Sequence, residues 1–131
     1  GAAMSATGRV YYADAVFEGE SRLFKALVRN PDTGTNLLAA DVQSIYVRVF
    51  DLEASDLSLP VYEDAPDIAS SWSDTLLTTG WDFSEGYNLK LFIPGDQFTT
   101  EGGHTYRIQI EIQHTYGPTN FIVHLPVESK W

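Results

Sequence analysis

Histidines and acidic residues are the side chains of this chain that could support catalysis or bind a metal ion. His104 and His114 end one alternating segment, so at ~3.3 Å per residue they lie about 33 Å apart and cannot share a ligand. His114 and His124 could face each other across the final hairpin, but a zinc site would need a third ligand, and the sequence indicates none. We expect structural or surface histidines.

Two acidic groups occupy neighbouring predicted loops. They are Asp51, Glu53 and Asp56 in the first loop, and Glu63, Asp64 and Asp67 in the second. Solvated loop charge is the favoured interpretation. Calcium binding by oxygen ligands is the alternative, although no EF-hand spacing occurs. A catalytic carboxylate pair ranks third. Neither a G-x-S-x-G elbow nor a phosphate-binding loop occurs, so we expect no enzyme and no cofactor.

Aromatic residues form the third candidate group. Four lie within sixteen residues, interleaved with Asp74, Asp82 and Asn88: Trp72, Trp81, Phe83 and Tyr87. Burial of Trp72 and Phe83 in the core is the favoured interpretation. If exposed, Trp81, Phe83 and Tyr87 would contact a protein partner, whereas Trp72 and Trp81 could stack on sugars.

Both ends of the chain are also rich in aromatic residues. Tyr11 and Tyr12 are candidates for a docking arm, and Trp131 ends the chain. We expect these ends to dock onto a protein partner or onto a neighbouring copy of the chain.

The segment His104–His114 carries two of the candidate histidines, and apolar and polar residues alternate along it without a break. Tyr106, Ile108, Ile110 and Ile112 fall on one parity, and polar residues fall on the other. Side chains alternate between the two faces of a strand. The segment therefore predicts a strand with one buried face in an antiparallel sheet.

Similar but weaker patterns recur about every ten residues. The predicted strands are 10–13, 21–29, 44–52, 59–62, 72–79, 87–93, 104–114 and 119–127, with a helix as the alternative for 21–29. Turns are predicted at 30–34 and at Gly117–Pro118. Seven or eight short strands favour an all-β sandwich, with a small closed barrel as the alternative.

Composition narrows the choice of partners. The chain has 131 residues and a net charge of −10, which argues against nucleic acid and anionic membranes as partners. It has no cysteine.

We expect a tag scar and N-terminal arm at 1–9, with Met4 as the native start, and one domain at 10–131. No signal peptide is visible, so we expect synthesis in the cytoplasm.

Gly103-His104-Thr105-Tyr106 resembles the tyrosine corner of immunoglobulin-like and fibronectin type III domains. The resemblance implies an immunoglobulin-like sandwich in which Tyr106 is the structural tyrosine and Gly103 opens the turn before it. The cysteine pair of antibody domains is absent, so the likeness is to the branches without a disulfide.

A second resemblance covers residues 36–128. It rests on the runs ADVQSIYVRVFDL, SDTLLTTGWDFSEGYNLKLFIPGDQF, GGHTYRIQIEI and GPTNFIVHLPV. These runs resemble small immunoglobulin-like proteins of phage and prophage structural gene sets. The resemblance implies a non-enzymatic virion component, such as a capsid decoration, head fibre or tail module. The alternative from the aromatic residues is a carbohydrate-binding module or adhesin.

Overall fold

The structure, a computed structural model, describes residues 9–10, 15–18, 23–79, 81, 85–93 and 104–126. The strands of this part are β1 (Arg9–Val10), β2 (Ala15–Glu18), β3 (Leu23–Ala26), β4 (Val42–Asp51), β5 (Tyr62–Asp64), β6 (Trp72–Leu77), β7 (Tyr87–Phe92), β8 (Thr105–His114) and β9 (Gly117–Pro126). A 3-10 turn at Ala39–Asp41 and the one-turn helix α1 (Ile68–Ser71) are the helical elements among the described residues.

The strands form two antiparallel sheets. One sheet has the order β1-β9-β8-β4-β5, and the other has the order β2-β3-β7-β6. This arrangement is an all-β sandwich, as predicted; the two sheets do not close into a barrel, so that alternative is wrong. The order β2-β3-β7-β6 opposite β9-β8-β4 corresponds to the two sheets of an immunoglobulin domain, and β5 adds an edge strand beside β4.

Strand β8 alternates between buried and half-buried residues along its whole length. Tyr106, Ile108, Ile110 and Ile112 are at most 1% exposed. The strand pairs with β4 on one side and with β9 on the other over nine and ten residue pairs. A central strand with one apolar face explains the unbroken period-two pattern, and this prediction is confirmed.

The core lies between the inner faces of the two sheets. Phe24 of β3 and Phe121 of β9 meet edge to face, with ring centroids 5.2 Å apart. Leu89 and Leu91 of β7 belong to the same buried cluster as the isoleucines of β8. Edge-to-face packing of aromatic rings adds a directional contact to apolar burial, which fixes how the sheets face each other.

Within the segment 21–29, Leu23–Ala26 form strand β3 and not a helix, because they pair with β2 and β7 through the backbone. The turn predicted at 30–34 is also confirmed. The Gly34 N–H donates to the Asn30 carbonyl at 2.8 Å. Gly34 has a φ of 74°, which favours glycine.

Two boundary predictions are wrong. The strand predicted at 59–62 begins only at Tyr62, because Pro60 has no N–H to donate and Leu59 is exposed. The turn predicted at Gly117–Pro118 lies earlier, at Thr115–Tyr116, because His114 pairs directly with Gly117. Strand β2 was not predicted at all.

We predict that Ile110→Ala lowers the free energy of unfolding by about 2–5 kcal/mol, because it leaves a cavity between the sheets. Gln109→Ala, its neighbour on the outer face, should change it by less than about 1 kcal/mol. Urea unfolding followed by tryptophan fluorescence measures both values. Equal losses for the two variants would contradict the assignment of β8 faces.

Candidate functional site

Trp72 is a core residue and not a surface platform. It is 7% exposed, and its indole N–H donates to the Leu37 carbonyl at 3.0 Å. Asn88 is buried beside it, accepts from the Val28 N–H at 2.8 Å, and donates to the Val28 carbonyl at 2.9 Å. These contacts tie β6 and β7 to the chain that follows β3, so the proposed sugar-stacking role of Trp72 is wrong for this conformation.

Trp81 and Tyr87 are buried as well, at 9% and 2% exposure. With Leu27 they form a small second core, against which Leu76 packs. The Trp81 and Tyr87 ring centroids are 5.2 Å apart. Gly86 makes this arrangement possible, because its φ is 101° and a Cβ there would lie 2.7 Å from the Leu77 carbonyl oxygen.

The predicted contact roles of Trp81 and Tyr87 are therefore corrected: both rings serve packing. Trp81, which lies between β6 and β7, packs with Leu27 and Tyr87, and no sequence pattern predicts this contact. Phe83, Tyr11, Tyr12 and Trp131 lie outside the described residues, and their predicted roles remain predictions.

We predict that Trp72→Phe lowers the free energy of unfolding by about 1–3 kcal/mol, because it removes a buried hydrogen bond and part of a packed ring. Chemical denaturation measures the loss. A sugar platform would tolerate this ring-for-ring replacement, so unchanged stability would contradict burial of Trp72.

Tyr106 occupies the position expected of a structural tyrosine. It is 1% exposed, near the beginning of β8, and it pairs with Asp51 of β4 and Leu125 of β9. Gly103 lies outside the described residues. Burial of Tyr106 agrees with a tyrosine corner, and the corner itself remains a prediction.

One cluster that the sequence analysis missed joins the end of β4 to the beginning of β8. One ligand-type atom from each of Asp51, Glu53 and His104 lies within 4.8 Å of the others. His104 Nδ1 is 2.8 Å from Asp51 Oδ2. His104 and Asp51 lie 53 residues apart in the chain, so only the pairing of β4 with β8 brings them together.

The carboxylates of this cluster already serve as hydrogen-bond acceptors. Asp51 Oδ1 accepts from the Glu53 N–H at 2.9 Å, and Glu53 Oε2 accepts from the Thr105 N–H at 2.8 Å. These bonds account for the position of each carboxylate without a metal ion. The cluster is better explained as a clamp that holds the loop after β4 against β8.

The pKa of Asp51 reflects the clamp. Partial burial alone would raise this pKa, but the hydrogen bond from His104, the Glu53 N–H and the charge of His104 together lower it. A carboxyl group whose pKa is lowered by folding stabilises the folded state at pH values above its unfolded pKa of 3.8. That contribution is lost as the pH falls through the folded pKa.

The second acidic group does not gather into a cation site among the described residues. Glu63 accepts a hydrogen bond from the Tyr46 hydroxyl at 3.1 Å and lies 3.9 Å from Arg48. This contact raises the pKa of Tyr46. Asp64 and Asp67 are exposed, as the interpretation of solvated loop charge predicts.

His114 and His124 do not face each other, because His114 pairs with Gly117 and His124 pairs with Arg107. His114 accepts from the Tyr116 N–H at 3.2 Å and contacts Thr119 Oγ1 at 2.9 Å. Burial lowers the pKa of His114, against the opposing charge of Asp41. With Nδ1 accepting, Nε2 carries the proton and donates to Thr119, so His114 is a structural group in the final hairpin.

We predict that millimolar calcium leaves the melting temperature unchanged, because calcium binds about six to eight oxygen ligands and this cluster offers two carboxylates and a histidine nitrogen. Asp51→Ala should lower the free energy of unfolding by about 1–3 kcal/mol, because the Glu53 N–H and His104 lose their acceptor. Differential scanning fluorimetry and urea unfolding measure the two effects. A calcium-dependent rise that Asp51→Ala abolishes would show that the cluster binds the ion.

The outer face of the five-stranded sheet is a regular surface built from β4, β8 and β9. Cross-strand pairs arrange it in rows: Arg48 with Gln109 and Ile122, Tyr46 with Glu111 and Asn120, and Phe50 with Arg107 and His124. Directly opposed side chains on one face contact each other. The strands therefore present a fixed grid of arginine, amide and aromatic groups.

Two guanidinium groups of this outer face lie over aromatic rings. Arg48 Cζ is 4.2 Å from the Tyr46 ring centroid, and Arg107 Cζ is 5.0 Å from that of Phe50. Between the strands lies a shallow depression of about 220 Å³, bordered by Arg48, Gln109, Glu111, Asn120, Phe121 and Ile122. Tyrosine and arginine are enriched in protein interfaces, and a shallow surface suits a protein partner better than a small substrate.

Comparison with protein-family models, with curated proteins and with solved structures finds no match. In the part of the chain that the structure describes, no helix has the length and apolar character needed to span a membrane.

Proposed function

We propose that this chain is a non-enzymatic interaction module and a structural component of a phage or prophage virion, such as a capsid decoration, head fibre or tail module. The runs within residues 36–128 that resemble phage structural proteins favour the virion setting. The sandwich supplies a stiff body, and its surface makes contacts without carrying out chemistry.

The outer face of the five-stranded sheet carries the proposal. The strands hold Tyr46, Arg48, Arg107 and Gln109 in register. Both arginines lie over aromatic rings, so they have less rotamer freedom to lose when a partner binds. The most reactive groups outside this face are engaged in structural contacts, as His104 is with Asp51 and His114 is with Thr119. Both features suit a binding module better than an enzyme.

A carbohydrate-binding module is less well supported. Its two proposed stacking residues, Trp72 and Trp81, are both buried, and stacking on a sugar requires an open ring face. The arginine-rich outer face favours a protein partner over a glycan.

Mass spectrometry of purified virions tests the proposal. Particles are prepared from the phage or prophage that carries the gene and separated on a density gradient. We predict that peptides of this chain co-sediment with the capsid or tail proteins in amounts typical of a structural component. Their absence from intact particles of a strain that expresses the chain would contradict the proposal.

A further inference from the structure

We propose that the loop between β4 and β5 (residues 52–61), with the acidic residues beside it, binds a protein segment in which lysine or arginine flanks apolar side chains. This inference rests on the proposed function and names the chemistry of one partner. The surface differs from the outer sheet face described above and is called here the β4–β5 loop.

Three apolar side chains of this loop are directed to solvent. Leu57 is 52% exposed, Leu59 is 63% exposed and Val61 is 45% exposed. They alternate with Ser58 and Pro60 in a five-residue stretch. Single exposed apolar residues are ordinary, but three in one short loop mark a contact surface.

The loop is held at both ends before any partner arrives. At its beginning, the Leu52 N–H donates to the Thr105 carbonyl at 2.9 Å, beside the Asp51–His104 clamp. In the middle, Asp56 accepts from the Ser58 N–H at 3.0 Å. At its end, the Val61 N–H donates to the Val49 carbonyl at 2.8 Å. A loop ordered in advance loses less entropy on binding, which favours affinity.

The stretch of chain that carries these apolar side chains is acidic. Residues 49–89 contain nine aspartates and glutamates and no lysine or arginine. Asp56 directly precedes Leu57, and Asp64 follows Val61 by three residues. Both acids are exposed. An apolar patch with an acidic rim is complementary to an apolar segment with basic flanks.

Charge also argues against two other occupants. An anionic lipid surface would be repelled by a chain of net charge −10. A symmetric contact between two copies would place the same acidic loop against itself, since an isologous interface pairs identical patches. A basic and apolar segment of another protein is the occupant that the charge favours.

Titration of the full 15N-labelled chain with synthetic peptides tests the inference. The probe is a short peptide of alternating lysine and leucine; the controls replace its leucines with serine, or its lysines with glutamate. We expect the first peptide to shift the amide resonances of Leu57, Leu59 and Val61, and neither control to do so. Shifts spread evenly over acidic sites such as Asp32 and Glu111 would overturn the inference, because they would indicate attraction by net charge alone.

Matched variants separate the two components of binding. Leu57→Ser with Leu59→Ser should weaken peptide affinity about tenfold or more, because apolar burial is lost. Asp56→Asn with Asp64→Asn should weaken it at low salt by about threefold or more. The control pair, Asp32→Asn with Glu85→Gln, removes the same charge at exposed residues that belong to neither contact surface and should change affinity by less than about twofold. Equal losses for both acidic pairs would overturn the assignment to this loop.

Two further results complete the test. Light scattering of the free chain is the first. If the chain dimerises and Leu57→Ser with Leu59→Ser abolishes the dimer, the loop binds a second copy, and the assignment to a different protein is overturned. The virion experiment is independent. If the chain is found in particles but its loop does not bind the peptide, only this inference is refuted. If the chain is absent from particles but its loop binds the peptide, only the virion proposal is refuted.

Discussion

Packing between the inner faces of the two sheets is the interaction on which the rest of the structure depends. The Phe24–Phe121 contact and the buried isoleucines of β8 remove apolar surface from water along the whole sandwich. Because β8 is paired on both sides, the positions of its outward residues along the sheet are set by the same register as those of its inward ones. The grid of Arg107, Gln109 and Glu111 on the outer face is therefore a direct consequence of core packing.

The same pairing brings together residues that are far apart in the chain. Alignment of β4 with β8 places Asp51 beside His104, and the resulting hydrogen bonds hold the loop that carries Leu57 and Leu59. A cluster that looks like a metal site from its residue types thus has a structural explanation. It links the core to a surface whose apolar groups and acidic rim suit a basic protein partner.

The sequence predicted the strands that show a local period-two pattern and missed the contacts that form only in the tertiary structure. The alternation of Tyr106 to Ile112 identified β8 because a central strand with one buried face leaves no ambiguity. The burial of Trp81 and Tyr87 was not apparent, because their contact with Leu27 is tertiary and leaves no periodic pattern in the sequence. The Asp51–His104 contact was missed because it requires the register between strands, and single-sequence patterns do not give it.

Native-state hydrogen exchange tests the central claim most directly, namely that a rigid sandwich holds a loop ordered in advance. The account predicts that the amides of Ile108, Ile110 and Ile112 exchange only through global unfolding. It also predicts measurable protection of the Leu52 and Val61 amides, which donate to Thr105 and Val49. Exchange of the β8 amides at the rate of an open chain, or of the two loop amides without any protection, would contradict it.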